Sequence, residues 1–150
     1  RDRSVSRGLG DVYKRQHQMG KPRQNTWYGL AFERICMLHI PQIKQQLGIA
    51  QIYTEYYSWR SKLSTPASQI DLLIERADNL VNLCEIKYSQ APYSITKEED
   101  MRIRTRIADF VGETKIRHGV LTTLITTFGL RPNPYSSIAQ VQLTMDDLFV

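Results

Sequence analysis

The chain has 150 residues, 41% of them hydrophobic and 23% charged. That is room for one domain around a single core, and no apolar run approaches the roughly 18 residues a membrane helix needs. The formal charge of +5 gathers at the front: five basic and two acidic side chains fall within residues 1–16, leaving 15 basic against 13 acidic for the rest, too even a balance for a strongly basic nucleic-acid binder. Two cysteines, Cys36 and Cys84, lie far apart in sequence with no partner at metal-ligand spacing, so neither a disulfide framework nor a zinc site is expected, and a reducing, cytoplasmic setting is favoured.

Residues 1–16 begin with Arg1 and show no helical or strand period and no signal-peptide core. They read as a non-native, disordered leader, leaving 17–150 as the domain and the chain as a fragment of a longer protein. From Thr26, Tyr28, Phe32, Ile35, Cys36, His39, Ile40, Ile43 and Leu47 recur at three- and four-residue steps, the apolar stripe of a helix. Pro41 splits that stripe into two helices and Gly48 closes the second. His39 on this stripe reads as a hydrogen-bonded core histidine. Ile52 to Arg60, rich in tyrosine and tryptophan, reads as a strand whose aromatics belong to the core, with base stacking as the lesser use, and Ser64 to Ser68 as a loop.

Gln69 to Arg76 and Leu80 to Tyr88 form a β-hairpin around Ala77-Asp78-Asn79, Asn79 suiting a left-handed backbone. Thr96 and Glu99 make a capping box for a helix that runs through Met101, Ile103, Ile107, Phe110 and Val111 to about Lys115, with Arg102 and Arg106 on one side. Val120 to Thr127 is a β-branched strand, Arg131 to Ser137 a loop, and Ala139 to Leu143 a last strand. The order of helix, three strands, helix and two strands defines an α/β (α+β) layer fold with a mixed central sheet.

The hairpin breaks the usual pattern. Strict alternation places Gln69, Asp71, Leu73 and Glu75 on one face, opposite Ile70, Leu72 and Ile74, and on the next strand puts Glu85 and Lys87 beside Val81 and Leu83. A three-residue turn then sets Asp71 against Glu85. Facing carboxylates in a sheet are destabilising and call for a cation, and an all-oxygen donor set suits Mg²⁺ or Mn²⁺. The other reading of the same residues is a solvated Glu85/Lys87 edge pair with the register slipped by one. Glu33 favours the first reading, because helical spacing places it near Gly29, Cys36, Met37 and Ile40 instead of on a charged face. Cys84 points away from Glu85 and reads as a small buried apolar residue.

Asp71, Glu85-Ile86-Lys87 and the upstream Glu33 resemble the PD-(D/E)XK nuclease superfamily, with Ile70 in the place of its proline. The surrounding text, Gly29-Leu-Ala-Phe-Glu33, His39-Ile-Pro-Gln-Ile-Lys44, Leu47-Gly-Ile49, Gln69 to Ile74, Asn82 to Ser89 and Leu143 to Phe149, resembles the C-terminal nuclease-like domain of bacterial and archaeal AAA-type ATPases of the archaeal-ATPase group, from about Trp27 onward. The resemblance implies a restriction-endonuclease-like core, missing ATPase and winged-helix modules in cis, and metal-dependent cleavage of a DNA phosphodiester. Asp71, Glu85 and Glu33 would hold Mg²⁺ or Mn²⁺, Lys87 would stabilise the transition state, and Arg102 and Arg106 could hold a phosphate of the nucleic acid. The chain contains no G-x-x-x-x-G-K-[ST] phosphate loop, so no ATP binding of its own is expected. The alternative keeps the fold without the chemistry, as a silent domain docking that ATPase on DNA or a partner.

Overall fold

A computed structural model describes residues 21–149. The expected leader, residues 1–16, lies outside the described residues. Helix α1 (Lys21–Leu38) and the short α2 (Ile40–Gln46) come first, then strands β1 (Thr54–Arg60), β2 (Gln69–Arg76) and β3 (Leu80–Lys87), helix α3 (Lys97–Thr114), and strands β4 (Gly119–Thr126) and β5 (Val141–Thr144). The five strands form one mixed sheet in the order β1-β2-β3-β4-β5, antiparallel through the β1–β3 meander and parallel from β3 onward. This is the α+β arrangement the sequence pattern implies.

Local chemistry explains the boundaries. Pro41 sits in the first turn of α2, where its missing N–H is harmless, and the His39 ring donates from Nδ1 to the Ile35 carbonyl at 2.7 Å. Gly48 takes φ +75° beyond α2. Turn bonds from the Ile49 and Ile52 N–H groups then delay β1 to Thr54, two residues later than the aromatic run suggests. In the hairpin, Asn79 adopts φ +66°, and Arg76 clamps the turn with an ion pair to Asp78 at 2.6 Å and a hydrogen bond to Asn82 at 3.1 Å. Thr96 and Glu99 close a reciprocal capping box on α3, and Lys115 ends that helix in the left-handed region. The last strand starts at Val141 because Ser136–Ile138 form a short 3₁₀ turn, and a second such turn covers Met145–Phe149.

Each face of the sheet has its own core. On one, Phe32 and Cys36 of α1 and Ile40 and Ile43 of α2 pack on Leu72, Ile74, Cys84, Ile125 and Leu143. On the other, Phe110 of α3 packs on Ile70, Leu73, Val81 and Leu83, and Ile103 on Leu124 and Ile138. Ile70 is therefore on the α3 side, although alternation alone places it with Leu72 and Ile74. A bulge is the cause. Tyr57 pairs with Leu73 but Trp59 pairs with Ile70, so Asp71 and Leu72 together oppose the single Ser58.

Both thiols are free and buried in the α1-side core, and burial pushes Cys36 up to about 12 and Cys84 higher still. They are apolar packing groups, not nucleophiles. The aromatics divide. Trp59 meets Phe110 edge-on at 5.4 Å, and the Tyr57 hydroxyl donates to Glu75, whereas Tyr53, Tyr56 and Trp27 are exposed.

Candidate functional site

The carboxyl end of β3 lies between an antiparallel neighbour and a parallel one, the kind of divergence where open sheets leave a crevice for ligands. The expected register holds where the two strands pair, Leu72 with Cys84 and Leu73 with Leu83, and the ladder ends there, at the bulge, one step short of Asp71 and Glu85. What the register does not convey is where the two carboxylates turn.

Asp71, on the bulge, turns to α1. Glu33 of α1 is its neighbour there: partial burial, followed by the charge and side chain of Asp71, raises Glu33 above the ordinary glutamate range. The nearby Lys87 pulls the other way without prevailing. The Gln69 amide donates to Asp71 Oδ1 at 3.2 Å. Two acids thus share a partly buried spot, which makes Glu33 the harder to ionise.

Glu85 turns to α3. Its side chain is buried, at 7% exposure, and both carboxylate oxygens accept from Arg106 Nη1 at 2.9 Å. Burial raises the Glu85 pKa, with Arg106 and Lys87 opposing it. The two arginines expected to face a phosphate differ in setting: Arg102 is exposed, whereas Arg106 reaches inward to Glu85, which would otherwise be a buried charge without a partner.

Lys87, the last residue of β3, lies 3.7 Å from Glu99. Glu99 in turn accepts hydrogen bonds from the Tyr93 hydroxyl and, at 3.1 Å, from the Thr96 N–H. Burial works to raise Glu99, but the Tyr93 hydroxyl, the Thr96 N–H and Lys87 outweigh it and hold Glu99 below the usual range. One side chain therefore caps α3 and fixes the lysine. The pattern Thr96-x-x-Glu99 discloses the cap. It carries no sign of the lysine contact, and Tyr93, in a stretch without period, carries no signal at all.

The four residues singled out from sequence thus fall in one neighbourhood, divided in two. Among the described residues no group of three or more His, Cys, Asp or Glu side chains is gathered tightly enough to hold a metal ion. The bulge and Arg106 explain this, one drawing Asp71 to α1 and the other holding Glu85 to α3. A hard divalent cation still fits the chemistry of Glu33 and Asp71, two neighbouring oxygen donors whose charges oppose one another where a cation would balance them. Glu85 could join them on leaving Arg106.

No protein-family model matches the chain, and no curated protein does either. Among solved structures, the crystal structure of the protein of unknown function AF1548 is similar, with a TM-score of 0.50 and 15% identity over 76% of this chain. The chain spans 64% of that protein's length. At such identity the likeness shows the fold alone.

Proposed function

We propose that this domain hydrolyses DNA phosphodiesters with the help of Mg²⁺ or Mn²⁺, as the nuclease-like C-terminal piece of a longer AAA-type ATPase. The observation that carries the reading is the neighbouring pair of acids, Glu33 and Asp71, at the carboxyl end of β3, next to Glu85 and Lys87. Glu33 and Asp71 would hold the ion, with Glu85 available as a third ligand. When bound, the ion supplies charge neutralisation and an acidified water. Lys87 holds its ammonium group beside the acids, where a fixed cation steadies charge building on the phosphate in the transition state. Glu99 and Tyr93 orient that ammonium group.

A silent docking domain is the second reading. Arg106 seated on Glu85 and the nearly even charge of residues 17–150 favour it. Mn²⁺ calorimetry followed by plasmid nicking separates the two. The intact chain binds Mn²⁺ and nicks, Asp71→Ala loses both, and Lys87→Ala keeps binding while nicking falls about 100-fold. Absence of Mn²⁺ binding in the intact chain leaves the docking reading.

A further inference from the structure

We propose that Arg106 is an exchangeable counter-ion: it neutralises Glu85 while no metal is bound, and it moves to a backbone phosphate of the substrate when Glu85 is taken up by a divalent cation. The inference rests on the nuclease reading above and adds the residue that links substrate binding to metal binding.

Three features of the ion pair carry it. First, Arg106 Nη1 stands at 2.9 Å from both Glu85 oxygens, straddling the seat that a chelated ion would use. Guanidinium and metal ion cannot share that seat, because two cations would then stand within a few ångströms of each other in a poorly solvated place. Second, among the described residues Glu85 engages the guanidinium through Nη1 alone. Nε and Nη2 are left to form the two-pronged contact that arginine makes with phosphate oxygens. Third, the Arg106 side chain is 26% exposed on α3, one turn beyond the exposed Arg102, so it can swing outward without opening the Phe110 core.

The swing has a thermodynamic signature. A metal ion binding the resting protein must displace Arg106, and a phosphate that draws Arg106 away removes that obstacle. Each ligand therefore raises the affinity for the other by the same factor.

The test is Mn²⁺ calorimetry on the full 150-residue chain, on Arg106→Gln and on Asp71→Asn, with metal-free melting curves to show that each is folded. Arg106→Gln is expected to bind Mn²⁺ about tenfold more tightly than wild type, within the usual range for coupled sites. Nitrogen-detected NMR of the wild-type chain provides a second readout that needs no folded variant at position 106, Arg106→Lys serving to assign the signal. The restrained Arg106 guanidinium signal should turn into that of a freely rotating one as Mg²⁺ is added. Equal Mn²⁺ affinity in wild type and Arg106→Gln, lost in Asp71→Asn, overturns the exchange and leaves the metal reading standing, as does an unchanged guanidinium signal at saturating Mg²⁺. Absence of Mn²⁺ binding in both wild type and Arg106→Gln overturns the exchange together with the reading it rests on.

Discussion

The α1 side and the α3 side of the candidate site handle the same problem, a partly buried carboxylate, in opposite ways. On the α1 side Glu33 and Asp71 stand together without a cation between them, and Glu33 is raised above its ordinary range by burial and by Asp71. On the α3 side Glu85 meets Arg106 and Glu99 meets Lys87, so that negative charge is balanced by side chains already in place. The comparison teaches that one half of the site is complete as folded, whereas the other sets two acids against each other in a way that a cation would relieve.

The sharpest way to break the balanced half is Arg106→Ala, which strands a buried carboxylate. Urea unfolding should show a loss of about 3 kcal/mol near neutral pH, the low end for breaking a buried pair, since part of the arginine is solvated. Tyr93→Phe on the same side removes one donor to Glu99 and should lower stability by about 1 kcal/mol, with the Glu99 pKa moving back toward the ordinary value in carboxyl-detected NMR titration.

Glu33 on one side and Glu99 on the other respond to pH with opposite signs. Glu33 is raised, so in the window between the ordinary glutamate value and its own pKa the folded chain holds more protons than the unfolded one. Its contribution is present at low pH and lost as pH rises through that window. Glu99 is lowered, so its contribution is present above the ordinary value and lost as pH falls through its folded pKa. Stability measured against pH should therefore lose its decline on the alkaline side of the glutamate range in Glu33→Gln, and lose part of its acid fall in Glu99→Gln. The smallest effect belongs to Arg102→Ala on the exposed side of α3. Stability should change by less than about 0.5 kcal/mol, and if the helix meets DNA there, the salt slope of binding should fall by about 1.

Much of this arrangement is legible in the residues themselves. The Thr96/Glu99 box, the Pro41 break and the left-handed Asn79 are local devices, and the structure has all three where the sequence places them. The hairpin register follows from the three-residue turn in the same way. The bulge does not, because Ile70, Leu72 and Ile74 keep a clean alternation and nothing local marks the extra residue; the mark is the packing of Ile70 on Phe110, some 40 positions away. The Arg106–Glu85 pair is equally hidden, since its members are 21 residues apart and meet through the β3–α3–β4 crossover. Composition and period specify elements, while partners across a crossover depend on tertiary packing.

The bulge at Asp71 and Leu72 is also what lets one strand present a core leucine and a site acid, in succession, to the same face of the sheet. Removing Leu72 would restore plain pleating to β2 and leave Asp71 facing α1, but in the position that Leu72 holds against Cys84. The α1-side core would lose one leucine and receive a carboxylate in its place. A chain with one residue fewer would keep every functional group on its proper side of the sheet, with one of them a single step too far in.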